Sequence, residues 1–286
     1  ALAGRDAGVV GHPMAEAALA TARTDAALRR RGVRLVDELG ARHGRPREAV
    51  PATAVVGRAD TVDDVLAAVA ARVGEGAALV KLKVTPRPAD LDAVAQVRAA
   101  WPDLALAVDG NGSLDQRSLS VLDGLDLAYV EQPAPADDLL ASVSMAGRLG
   151  APIALDESVT SLASLRTAMA LGAGRLVNVK PARVGGVHLA ADLARAAADE
   201  GWGAFVGGML ETGVGRAAAA AVAALPACTL PTDLGPSDRY LDDDVTEPVV
   251  VDERGRLVVP TGPGIGVAVR GERIDELAVD RLVLRP

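Results

Sequence analysis

The chain has 286 residues, half of them apolar, with a formal net charge of −8 and a pI near 5.0, enough length to bury a sizeable core as one large α/β domain or two smaller ones. The acidic balance argues against a nucleic-acid partner, and the single cysteine, Cys228, excludes an intrachain disulfide and a cysteine-based metal site. No charge-free apolar run reaches the roughly 18 residues of a membrane span, and no signal peptide is evident, so a cytoplasmic setting is expected.

Only five residues are aromatic (Trp101, Tyr129, Trp202, Phe205 and Tyr240). Alanine, valine and leucine must therefore fill the core, which suits helices on parallel strands better than a β-sandwich. Residues 10–40 read as an amphipathic helical segment, with Arg29-Arg30-Arg31 as a solvated helix end. From about residue 51, strand-like runs follow at 52–56, 79–84, 104–109, 127–131, 153–156, 176–180, 203–206 and, more weakly, 228–230. Helical periodicity separates them, for example at 61–73, 89–100, 137–149, 162–171 and 187–200. Thr61 and Ser161 have N-cap chemistry, while Gly150, Gly172 and Gly201 stand where helices should stop. Eight such units over 51–235 predict a TIM-like (β/α)₈ barrel. A doubly wound open sheet is the alternative, but no G-x-G-x-x-G follows the first strand. Residues 1–50 and 236–286 are assigned to a partial or truncated α+β capping domain, the latter with a hairpin turning near Arg254-Gly255.

The stretch Val80-Lys81-Leu82-Lys83-Val84 puts both lysines on one strand face and three apolar residues on the other. Alone, it reads as a strand with its lysine face in water. The later strands reverse that reading, because they end in Asp109, Glu131, Asp156 and Lys180. Lys83, Asp109, Glu131, Asp156 and Lys180 are separated by 26, 22, 25 and 24 residues, one strand–helix unit each. All five are therefore expected at the C-terminal ends of consecutive strands, where barrel active sites lie. Singly, Asp109 could be a turn residue, Glu131 a harmless strand end and Asp156 a helix cap. Five in register are harder to explain that way, because inward-pointing charges are costly without partners. Three carboxylates on adjacent strands offer hard oxygen ligands to a divalent cation such as Mg²⁺. Lysines desolvated on either side of a cation are suited to act as bases.

These segments, Asp109-Gly110-Asn111, Val130-Glu131-Gln132-Pro133, Leu155-Asp156-Glu157-Ser158 and Val179-Lys180-Pro181-Ala182-Arg183 among them, resemble the enolase superfamily, muconate-lactonizing subgroup. Gly207-Gly208-Met209-Leu210-Glu211-Thr212-Gly213, Ser237-Asp238-Arg239-Tyr240, Thr246-Glu247-Pro248 and the run at 260–266 are more narrowly similar to its o-succinylbenzoate synthase / N-acylamino acid racemase branch. The resemblance implies Mg²⁺, with Mn²⁺ as the alternative, at Asp109, Glu131 and Asp156, and an acid/base pair of Lys83 and Lys180. It implies that Lys81 positions a substrate carboxylate, that Asn111 lies in the metal's outer shell, and that Gly207, Gly208 and Met209 line the pocket. Glu211 is either a further polar group there or a buried structural carboxylate.

The implied chemistry is proton abstraction beside a carboxylate of a small molecule. It serves either dehydration to o-succinylbenzoate in menaquinone biosynthesis or N-acylamino acid racemisation. A dipeptide epimerase or muconate-type cycloisomerase is the alternative on the same scaffold, and a catalytically inactive binding protein the alternative of another class. Homo-oligomers are common in the family. Family members begin with an antiparallel strand module whose loops close over the substrate; this sequence starts past that point, so the capping domain is expected to be partial. Gly110 in place of the usual alanine, and Thr232 in place of the usual glycine before Asp233, are smaller departures.

Overall fold

The computed structural model describes residues 11–282, and no helix among them is long and apolar enough to cross a membrane. The predicted N-terminal helical segment is two helices, α1 (Pro13–Arg31) and α2 (Leu35–His43). Gly32 divides them: at φ 65° it takes the left-handed conformation and its N–H returns to the Arg29 carbonyl, which closes α1. The three arginines of the last turn sit at the negative end of the helix dipole.

β1 (Ala49–Pro51) pairs antiparallel with β9 (Arg256–Val258), the second arm of the expected hairpin. That hairpin turns at Gly255, whose N–H donates to the Asp252 carbonyl at 2.9 Å. Gly255 has φ 67°, and a Cβ there would stand 2.2 Å from the Gly76 carbonyl oxygen, so only glycine fits.

The barrel strands are β2 (Thr53–Val56), β3 (Leu79–Lys83), β4 (Leu106–Asp109), β5 (Tyr129–Glu131), β6 (Ile153–Leu155), β7 (Leu176–Val179) and β8 (Gly203–Val206). They form a parallel sheet in sequence order. The helices between them are α3 (Val62–Gly74), α4 (Pro88–Ala100), α5 (Gln116–Leu122), α6 (Leu139–Ala146), α7 (Leu162–Leu171), α8 (Pro181–Val184) and α9 (Val187–Asp199), with α10 (Gly213–Ala223) after β8 and α11 (Gly271–Leu277) near the end. Thr61 and Ser161 cap α3 and α7 by accepting the N–H groups of Asp64 and Ser164, and Gly172 ends α7 at φ 71°. α6 is shorter than its periodicity suggests: Asp138 caps its start and Gly147, not Gly150, follows its last turn.

An eighth segment, 230–233, closes the cylinder. On one side Leu230 and Asp233 donate N–H groups to the Ala204 and Val206 carbonyls at 3.2 and 3.0 Å. On the other, Thr53 donates to the Thr232 carbonyl and Thr232 to the Pro51 carbonyl, both at 2.8 Å. The expected strand at 228–230 is therefore displaced toward the C-terminus. Cys228 instead donates its N–H to the Leu225 carbonyl in the turn after α10. Parallel pairing fixes the side-chain layers. Val80, Leu82, Val84, Leu106, Val108 and Val130 face outward and are buried beneath the helices. Leu79, Ala107, Tyr129, Ala154 and Phe205 fill the barrel interior, where the Tyr129 and Phe205 rings stack at 5.4 Å. Each such fully buried ring contributes about 2–3 kcal/mol from removal of its apolar surface from water. With the middle of the cylinder filled, chemistry is left to its rim.

Candidate active site

Lys83, Asp109 and Glu131 are the last residues of β3, β4 and β5 and stand side by side in the ladder. Asp156 and Lys180 each follow directly on β6 and β7. All five occupy one rim, the C-terminal one, as their spacing predicts. The three carboxylates are buried. The Lys83 side chain is 44% exposed and that of Lys180 16%, so one amine stands at the open mouth and the other is sheltered.

Every carboxylate is turned onto a cation. Lys83 Nζ donates to Asp109 Oδ2 at 3.1 Å and to Asn111 Oδ1 at 2.8 Å. Lys180 Nζ donates to Asp156 Oδ2 at 2.6 Å, and the Arg183 guanidinium lies 2.6 Å from Asp156 Oδ1. Burial opposes ionisation of Asp156, but Arg183 and Lys180 outweigh it and hold the carboxyl below the ordinary aspartate range. Lys81 lies one layer deeper than Lys83 and is only 3% exposed. Its ammonium bridges Glu131 Oε2, at 2.5 Å, and Asp233 Oδ2, and it lies 5.6 Å above the Phe205 ring. Burial alone would push this lysine toward neutrality; Asp233 and Glu131 outweigh it and raise its pKa well above the usual value. One ammonium thus serves two buried acids. Glu131 is pushed up to about 8, chiefly by burial, with Lys81 opposing and Asp233, Asp109 and Asp156 adding to the rise.

The backbone is shaped to hold this arrangement. Asn111 and Gln132 follow the β4 and β5 carboxylates at φ 41° and 35°, a conformation side chains other than glycine seldom take. Asn111 is held there by its N–H to Asp109 Oδ1 at 3.0 Å and by Nδ2 to Glu157 Oε1 at 3.1 Å. The buried Gln132 amide donates to Ser158 Oγ and the Ala134 carbonyl, and accepts from the Asp156 and Ser158 N–H groups at 2.9 and 3.2 Å. It ties the end of β5 to the loop that carries Asp156. Gly207, Gly208 and Met209 follow β8 on the same rim, with Gly207 buried and Met209 at the surface. A Cβ on Gly207 would stand 2.4 Å from Asn178 Oδ1, and Asn178 Nδ2 donates to Glu131 Oε1 at 2.7 Å. Gly207→Ala is thus expected to displace Asn178 and destabilise the fold by about 1–3 kcal/mol, read as a lower urea midpoint. Glu211 is partly buried, accepts the Met209 N–H at 3.2 Å, and is raised by burial above the usual glutamate pKa.

Two charged side chains of the rim carry no role in the sequence reading. Arg183 belongs to the motif after β7, but its grip on Asp156 depends on the tight turn into α8. Asp233 ends the eighth segment, 26 residues after Gly207, and continues the one-unit spacing of the other rim residues. That spacing could have found it, had the last strand been placed at 230–233. Among the described residues, no three acidic, histidine or cysteine side chains stand gathered as a ready cation cage.

A family model described as enolase C-terminal domain-like matches residues 64–274. An N-succinylamino acid racemase from an Amycolatopsis species is 41% identical over 276 residues, which cover 95% of this chain and 73% of that relative. The o-succinylbenzoate synthase of Bacillus subtilis is 36% identical over 262 residues, 91% of this chain and 69% of the relative. The solved structure of muconate lactonizing enzyme from Pseudomonas putida superposes with a TM-score of 0.86 at 25% identity, over 94% of this chain and 75% of that one. With a family match over most of its length and such relatives, the chain belongs to the enolase superfamily of enzymes.

Proposed function

We propose that this protein removes the proton beside a substrate carboxylate with the help of a divalent cation, Mg²⁺ or Mn²⁺. Its substrates on this reading are the cyclohexadiene precursor of o-succinylbenzoate and N-succinylamino acids. The observation that carries the reading is the placement of two amines, Lys83 and Lys180, on strands that flank three buried carboxylates. Asp109, Glu131 and Asp156 would hold the cation. They offer hard oxygen only, and burial among like charges has raised Glu131 to about 8, the condition in which a cation relieves what a proton otherwise must. A bound cation supplies positive charge at the substrate carboxylate, which acidifies the neighbouring C–H.

The chain's own residues do the rest. In racemisation Lys83 takes the α-proton from one face and Lys180 delivers a proton to the other. In dehydration Lys83 takes the proton and then returns it to the departing hydroxide as water, while the Lys180 ammonium stands over the negative charge that develops between those steps. Asn111, which accepts from Lys83 at 2.8 Å, aims that amine. Lys81 and Asn178 hold Glu131 from below and the side.

The test is proton NMR of the purified protein with MgCl₂ and an N-succinyl-L-amino acid in D₂O, followed by a run with the cyclohexadiene precursor. Loss of the α-proton signal with decay of optical rotation is expected in the first, and loss of the diene absorbance in the second. Protein that binds Mg²⁺ yet leaves both substrates unchanged overturns the reading.

A further inference from the structure

We propose that Asp233 is a positioning residue: it holds the Lys81 ammonium aside so that Glu131 is left for a divalent cation. The inference rests on the cation site proposed above and adds a residue outside that ligand set. Lys81 is buried beneath the rim, and its two acidic partners are Glu131 and Asp233. An ammonium and a divalent cation crowded onto one buried carboxylate repel each other strongly, because little water intervenes to screen them. Lys81 cannot withdraw into solvent, so a cation can take Glu131 only if the ammonium has a second buried anion to retain it.

Asp233 meets that need in three respects. It approaches Lys81 from the closing segment, across the cylinder from β5. Its Oδ1 is buried without a hydrogen-bond partner, a spare acceptor for an ammonium that has let go of Glu131. Asn178 Nδ2 stands between the two acids, 2.7 Å from Glu131 Oε1 and 3.5 Å from Asp233 Oδ2, and so keeps them apart as Lys81 moves.

The experiment is calorimetric titration of the full chain with MgCl₂ alone, with each variant first checked for a cooperative melt. Wild type is expected to bind, and Asp233→Asn to bind about 10–100-fold more weakly, because Lys81 then has only Glu131 to hold. The Lys81→Met/Asp233→Asn double variant is expected to recover wild-type affinity to within about threefold, and Lys81→Met alone to bind at least as tightly as wild type. A merely structural Asp233, or one that ligates the cation itself, would not be rescued by removing the lysine. Unchanged affinity in Asp233→Asn, or a double variant as weak as the single one, overturns the inference and leaves the cation site standing. If Asp233→Asn does not fold, a tenfold loss in Lys81→Met overturns it equally. Wild type that binds no Mg²⁺ removes both the cation site and the inference.

Discussion

Lys83→Ala is expected to stop α-proton exchange on every substrate, with kcat lower by about 10²–10⁴-fold and the urea midpoint almost unchanged. The two halves of that expectation have separate causes. The amine is the group placed to meet the substrate proton at the open mouth. Its side chain is 44% exposed, so its ion pair with Asp109 is partly screened by water and contributes little to stability. Lys180→Arg separates the two reactions further. A guanidinium keeps the positive charge over the developing anion but does not give up a proton near neutral pH. Dehydration should therefore survive while racemisation is lost, read by following diene consumption and optical rotation on the same preparation. Racemisation that persists in Lys180→Arg would end the two-base scheme.

Asp156→Ala is expected to be the most destabilising change on the rim, at about 3–5 kcal/mol in urea unfolding. It strands two sheltered cations, Lys180 and Arg183, whose nitrogen atoms both lie 2.6 Å from its oxygens. Asp109→Ala, whose cationic partner is the more exposed of the two amines, should cost less. The acid side of the stability profile carries the same signature. Asp156 is depressed in the folded protein, so its contribution is complete above the ordinary aspartate pKa and is lost as pH falls through the folded value. In Asp156→Ala that part of the acid transition should vanish. An unaltered acid limb would mean that the pair holds no net stability.

What could be read before any coordinates was the part written as period. One charge per strand–helix unit placed Lys83, Asp109, Glu131, Asp156 and Lys180 on one rim, and capping chemistry located α3 and α7. Strand alternation correctly put Lys81 and Lys83 on one face. It could not convey depth: two residues along a strand is about 6.6 Å, enough to take a lysine from the mouth into the filled interior. The closing segment escaped because its register is set by carbonyls on β1 and β8 and an N–H on β2, not by any pattern in 228–233. Asp233 went unassigned with it. α10 shows the opposite failure of pattern, since its alanines are buried on nearly every side and leave no amphipathic stripe. The Gln132 clasp is likewise invisible, because it joins a side chain to the backbone of a segment 24 residues away.

Seven of the cylinder's eight seams join strands only a helix apart in the chain, but the last one knits Thr53 to Thr232, 179 residues apart. Closing so long a loop costs about 4–5 kcal/mol in chain entropy, which the final ladder must offset along with the packing it brings. On the ribosome, β2 emerges long before its second neighbour is made, and it waits with unpaired amides and carbonyls along one side. That is the interval in which such an edge is open to another nascent chain, and it ends only when residue 233 clears the exit tunnel.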